Sequence, residues 1–406
     1  MLRDCSKVLA GDESMQWAWF EKYIRIGQLA VTAANGEQRQ FGVGGPSAGI
    51  EFLEPGCMSR ILRNPQLNLG ETYVNGEWRP DSSSDLYSIP RVLRLNFAAP
   101  LAPGGLSWPM RMGRRMLGSW NSIAASQRNI AHHYDMDEAL FRACLDRDMH
   151  YSCAFFEPGH HDLEVAQQRK CEHIARKLCL KPGQRVLDIG CGWGSLALYL
   201  AEQYRVTVTG LTLSVEQLRI AKQRAVDLGL QDQVDFRLQD YRQHSGHYDR
   251  VVSVGMFEHV GHRGYRDFFR AIHSWLVEDG IALVHTIANQ RPAGTVNPWI
   301  RRHIFPGGHI PSMGQVIPAI ETSGLLVADL ECLRSHYALT LAEWHRRFNL
   351  QRCRFVRRSG EKFCRMWEFY LLICQTAFEV GGLAVHHWQL QRPAAQIPVT
   401  RDYLYS

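Results

Sequence analysis

The sequence predicts an α/β fold: a doubly wound parallel sheet covered by helices, preceded by a smaller α+β domain. Three observations carry this reading. From residue 184 short apolar strand runs alternate with amphipathic helical runs, the turn after the first of those strands is glycine-rich, and the first hundred residues instead carry two Asn-Gly pairs. At 406 residues the chain has room for two domains, each with its own core.

The elements follow in order. MQWAWFEKYIRIG has helical apolar spacing, and LAVTAANGEQRQFGV alternates around Asn35-Gly36, a strong hairpin signal. LNLGETYVNGEWRP repeats that signal at Asn75-Gly76, which places a small α+β domain at residues 1–97. The Pro- and Gly-rich AAPLAPGGLSWP opens a linker over 98–129. Within it RMGRRMLGSW (111–120) would put Met112, Met116, Leu117 and Trp120 on one arc of a helix and Arg111, Arg114 and Arg115 on the other, a composition suited to a membrane surface or to packing on the protein itself. A catalytic domain spans 130–406. Its regular part reads strand QRVLDIG, helix SLALYLAEQ, strand VTVTGLTL, helix SVEQLRIAKQRAVDLG, strand VDFRLQ, strand DRVVSVGMF, helix YRDFFRAIHSWLV and strand IALVHTIA. Ligands of such a sheet sit beyond the carboxyl ends of its strands.

Composition narrows the function classes. The 46 Lys and Arg against 40 Asp and Glu leave a net charge of +6, which suits an anionic surface or an ordinary solvated one. Eleven cysteines without a C-x-x-C pair argue against a disulfide framework and a structural zinc site, so a reducing, cytoplasmic setting is expected and no metal is. MLRDCSKVLAGDES lacks the apolar stretch of a leader, and no run approaches eighteen apolar residues.

The chemistry concentrates in two places. In VLDIGCGWG, glycines at 190, 192 and 194 let a ligand approach the backbone, but Ser195 stands where a dinucleotide fingerprint needs its third glycine, and GLTLS replaces the acid expected after the second strand. An NAD site is disfavoured. The D-x-G-x-G-x-G form beginning at Asp188 resembles motif I of the class I methyltransferases, which bind S-adenosylmethionine. The second place is SVGMFEHVG, where an apolar strand delivers the carboxylate of Glu258; a buried carboxylate needs partners or something to organise. His285, on another strand, can converge on the same crevice. His259 and His262 form H-x-x-H without the zinc-binding H-E-x-x-H.

HYDMDEALF (133–141), MHYSCAFFEP (149–158), VLDIGCGWG (186–194), LTLSVEQ (211–217), SVGMFEHVG (253–261), LVHTI (283–287) and WIRRHIFPGG (299–308) occur in this order. Together they resemble the cyclopropane-fatty-acid synthase family, from about residue 130 onward. The resemblance implies that Tyr151, Ser152, Gly190, Gly192 and Gly194 meet the methionine end of S-adenosylmethionine, Thr212 and Gln217 its ribose, and Gln239 and Asp240 its adenine. It further implies that Cys153, Glu258, His285, Tyr337 and the backbone at Ile287 cradle a bicarbonate ion, with Cys374 near the pocket. Read alone, Cys153 and Cys374 are more simply core residues.

The implied reaction adds a methylene unit from S-adenosylmethionine to a cis double bond of a phospholipid acyl chain. Such an enzyme works peripherally at the inner, anionic face of a membrane, and WHRRFNLQRCRFVRR (344–358) is a second basic segment that could face it. A relative making a branched methyl or methylene fatty acid from the same cation is the alternative. A lipid binder without catalysis and an RNA methyltransferase are the other rivals; no N-P-P-Y motif follows the fourth strand, and no nucleic acid partner is expected. A homodimer is left open. Asp137, Glu138 and the loop GGHIPSM (307–313) depart from the family pattern.

Overall fold

The computed structural model describes residues 13–97, 138–292, 294 and 296–405. The basic helix expected at 111–120, Asp137 and most of HYDMDEALF lie outside them. The chain forms two compact units: Met1–Leu117 with Val296–Pro306 and Leu341–Leu383, and Gly118–Thr295 with Gly307–Thr340 and Ala384–Ser406. After residue 295, spatial grouping and sequence order therefore part.

The first unit holds a four-stranded sheet of β1 (Ile26–Thr32), β2 (Gln38–Phe41), β3 (Val43–Phe52) and β4 (Trp78–Pro80), in the order β2-β1-β3-β4. β1 and β2 form the hairpin expected at Asn35-Gly36, pairing from Leu29 with Phe41 to Thr32 with Gln38, and Gly36 takes φ 87°. Asn75-Gly76 does something else. Residues Pro65–Asn75 are a helix with proline in its first turn, and Gly76, at φ 82°, caps its carboxyl end. A hairpin turn and a helix cap both need a residue of positive φ, so the same dipeptide serves either. The late segments contribute to this core: Trp299 meets Phe369 edge-on at 4.9 Å, and a Cβ on Gly70 would stand 2.5 Å from Trp299 Nε1.

The second unit holds a seven-stranded sheet: β5 (Arg185–Ile189), β6 (Thr207–Thr212), β7 (Val234–Leu238), β8 (Tyr248–Val254), β9 (Leu276–Asn289), β10 (Leu326–Cys332) and β11 (Leu383–Gln391), in the order β10-β11-β9-β8-β5-β6-β7. β5 to β9 are mutually parallel, and β10 pairs antiparallel with β11. Alternate residues serve opposite faces. Leu187, Ile189, Val251, Ala282 and Val284 enter one core; Val186, Val252 and Leu283 enter the other. The strand order reverses at β5, whose neighbours are β6 and β8, and this opens the crevice at their carboxyl ends. Among the described residues no helix is long and apolar enough to cross a membrane.

Candidate active site

At that crevice lies a cavity of about 140 Å³. Its walls come from the loop Met149–Ser152, the turn Asp188–Trp193, and the ends of β6, β7 and β8, so the topology alone brings these segments together. Of the residues assigned to S-adenosylmethionine, Tyr151, Ser152, Gly190, Gly192, Thr212, Gln217, Gln239 and Asp240 line it. Gly194 stands just behind, as the left-handed N-cap of the helix Ser195–Tyr204.

The turn is shaped for a ligand. Gly190, Gly192 and Gly194 all have positive φ, and the amides of Gly190 and Cys191 both donate to the Leu211 carbonyl at 2.9 Å. A Cβ on Gly190 would come within 2.9 Å of Met256, whereas one on Gly192 would meet nothing within 4 Å. Asp188 Oδ2 and Trp193 Nε1 are buried without hydrogen-bond partners among the described residues. Burial pushes the Asp188 carboxyl up to about 7 against the pull of Lys170. A cationic ligand with polar groups suits this lining, so S-adenosylmethionine fits it. Thr212 Oγ1 donates to Gln217 Oε1 at 3.0 Å where other sheets of this type place an acid, and Asp240 is held by Arg242 at 2.7 Å.

Glu258 sits one turn beyond β8. Gly255, at φ 65°, redirects the chain into the 3-10 turn Phe257–His259, which swings the carboxylate inward. The Ile287 amide donates to Glu258 Oε1 at 2.5 Å, so it is already engaged with the carboxylate rather than open to an ion. Oε2 is buried and has no hydrogen-bond partner among the described residues. Burial raises the group to about 7, and the Ile287 amide moderates that rise. His285 Nδ1 and His387 Nε2 share a hydrogen bond of 2.8 Å; burial, then Lys170, bring His285 down to about 3. Cys153 Sγ donates to the Ala154 carbonyl at 3.3 Å, and burial pushes its thiol far up, which fits a neutral group. Tyr337 lies in the first turn of the helix His336–Leu350. Cys374 belongs to the other compact unit, where burial raises its thiol to about 12 despite Arg94.

Matching against family descriptions finds mycolic acid cyclopropane synthetase over residues 121–388. The chain belongs to that family. It is 38% identical over 347 residues to the cyclopropane-fatty-acyl-phospholipid synthase of Escherichia coli K12, covering 86% of this chain and 88% of that one. A probable fatty acid methyltransferase of Pseudomonas putida is 40% identical over 374 residues, 89% of this chain and 93% of its own. The crystal structure of mycolic acid cyclopropane synthase CmaA1 complexed with SAH and CTAB superposes with a TM-score of 0.62 at 33% identity, over 65% of this chain and 98% of that one. The fold of the second unit is that of a class I S-adenosylmethionine methyltransferase.

Sequence reasoning missed Lys170. It is fully buried on the helix Leu163–Lys177, donates to Ser152 Oγ at 3.1 Å, and lies within electrostatic reach of Asp188, Cys153 and His285. The signal was available: Leu163, Ala166, Gln167, Lys170, Cys171 and Ile174 trace one helical face, and a lysine on that face is a buried charge. Beside it Asp146 bonds His150 Nδ1 at 2.7 Å, and His150 Nε2 meets Cys171 Sγ at 3.2 Å. This set needs the fold to assemble it.

Proposed function

We propose that the chain is an S-adenosylmethionine-dependent enzyme that adds a methylene unit to a cis double bond in the acyl chain of a membrane phospholipid, forming a cyclopropane ring. What supports this most is the position of Glu258. A buried carboxylate with one unengaged oxygen follows β8, next to Gly255 and Met256, which line a pocket suited to the cofactor. The Escherichia coli relative carries this activity in its name, over 86% of the chain.

When bound, S-adenosylmethionine supplies an electrophilic methyl group on a thioether leaving group. The chain's residues do the rest. The glycine turn with Ser152, Thr212 and Gln217 orients the methyl group, and the buried walls exclude the water that would quench a carbocation. The π pair of the lipid bonds to the methyl carbon as the sulfur–carbon bond breaks. A C–H bond of the new methyl group then breaks, its electron pair closes the ring, and the proton must leave. An anion such as bicarbonate suits the place from which it leaves: Glu258 Oε2 lacks a partner among the described residues, and burial raises the Glu258 carboxyl to about 7, so it can share a proton with that ion. Glu258, the Cys153 amide, His285 and Tyr337 would hold that ion, which would supply a base.

The enzyme meets its lipid from the cytoplasmic, inner side of the membrane as a peripheral protein, alone or as a homodimer. In the basic segment Arg346, Arg347 and Arg352 are neutralised by Glu343, Glu361 and Glu368. Arg354 and Arg357 are exposed and have no ion pair among the described residues, so they are the groups that would face anionic lipid.

The test is incubation of the purified protein with S-adenosylmethionine and monounsaturated phosphatidylglycerol vesicles, followed by mass spectrometry that separates ring from branch. Cyclopropane with equimolar S-adenosylhomocysteine is expected. A methyl-branched product would move the chain to the chemistry named for the Pseudomonas relative, and methylation of RNA but not lipid would overturn the reading.

A further inference from the structure

Three neighbouring strands carry a file of ionisable groups away from the candidate site. His285 on β9 bonds to His387 on β11, and both rings are buried. Glu331 on β10 is the register partner of His387. Its Oε2 meets His173 Nε2 at 2.6 Å and Lys177 Nζ at 2.8 Å, both from the helix Leu163–Lys177. A ring nitrogen of His387 lies within 4.8 Å of ligand-bearing atoms of His173 and Glu331, and His387 Nδ1 has no hydrogen-bond partner among the described residues. Glu331 also lines an open cavity with His336 and Tyr405.

A structural role explains only part of this. One bond from His387 satisfies His285, but a second buried imidazole with an unused nitrogen, aligned with a carboxylate, is more than that needs. The trio His173, Glu331 and His387 also has the donor types of a divalent-metal site. Against a metal, the Lys177 ammonium already occupies Glu331 and also reaches Asp329 at 3.1 Å, where it would repel a second cation.

We propose that His285, His387 and the His173–Glu331 pair form a proton exit path from the active site to the cavity beside Glu331. The path rests on the cyclopropanation reading, since ring closure liberates one proton per turnover. The proton reaches Nε2 of His285, and the Nδ1 proton of His285 moves to Nε2 of His387. The Nδ1 proton of His387 then crosses a bridging water to the Glu331 carboxylate, which releases it to solvent. One proton enters and one leaves; each ring ends neutral in its other tautomer, and exchange between turnovers restores the first. The charges favour outward travel. Lys170 opposes a positive His285 on the site side, and Glu331, though burial opposes its charge, is held ionised near 2 by His173 and Lys177.

The experiment uses the full chain with Glu331→Gln and His387→Gln. With oleoyl phosphatidylglycerol vesicles, kcat is expected to fall roughly tenfold or more while KM for the cofactor stays within about twofold. The solvent deuterium isotope effect is expected to grow, and Glu331→Asp to recover part of the rate. A second arm needs no turnover: in protein labelled with 15N-histidine, exchange of the proton shared by His285 and His387 is expected to slow roughly tenfold in Glu331→Gln. Absence of cyclopropane from the unaltered protein would defeat the functional reading, while the exchange measurement would still judge the path. Unchanged exchange, with kcat and isotope effect also unchanged, would overturn the path.

Discussion

Glu258 holds two environments in one side chain. Its oxygens are treated unequally, one tied to the Ile287 amide and one buried without a partner. Glu258→Gln keeps the shape and the first bond but removes the negative charge. It is therefore expected to leave cofactor affinity within about twofold and to lower turnover roughly 100-fold or more, read by titration calorimetry and S-adenosylhomocysteine release. At this scale the sequence was legible where a residue ended an apolar strand or sat in a glycine turn, as Glu258, Asp188 and Gly190 do. Lys170 could have been found from its place on an apolar helix face, though not its partner Ser152; His387 could not, because its significance lies in His285, 102 positions away.

Among elements, the turn between β5 and its following helix separates fold from function most clearly. Gly190 and Gly192 both have positive φ, yet a side chain on the first collides with Met256 and on the second meets nothing. Gly192→Ala is expected to cost the fold only about 1–2 kcal/mol while weakening cofactor binding, because its methyl group points into space the ligand needs. Gly190→Ala is expected to lose both stability and binding. Thermal unfolding with and without S-adenosylhomocysteine distinguishes them. The alternating βαβ runs made β5 to β9 readable, since each strand feeds two apolar faces. β10 and β11 escaped notice because Asp329, Glu331, His386, His387 and Gln389 interrupt their apolar pattern, and Asp329, Glu331 and Gln389 find Lys177, His173 and Tyr403 only in the folded chain.

For the whole molecule, buried ionisable groups set the response to pH. Asp188 and Glu258 keep their protons up to about 7 when folded, but their unfolded counterparts give them up near 4. Between those values the unfolded state binds fewer protons, so this contribution to stability is lost as pH rises from about 4 to 7. Asp146 and Glu331 work the other way. Burial opposes their charge, but His150 and Lys170, and His173 and Lys177, take each down to about 2, so stability is lost as pH falls from about 4 toward 2. The buried neutral histidines His259 and His285 act in the opposite sense, so the carboxylate part is read by difference: from pH 4.5 to 7 the unfolding temperature of Glu258→Gln is expected to rise relative to that of the unaltered cofactor-free protein, measured by scanning calorimetry across that range. An unchanged slope would place the Glu258 titration elsewhere.

Strand β11 stands inside the sheet, between β10 and β9, although residues 383–391 leave the ribosome after every other strand among the described residues. A nascent chain stalled before residue 383 has β9 as a bare edge and His285 without His387. The sheet can close around His285 only once residues 383–391 have been made.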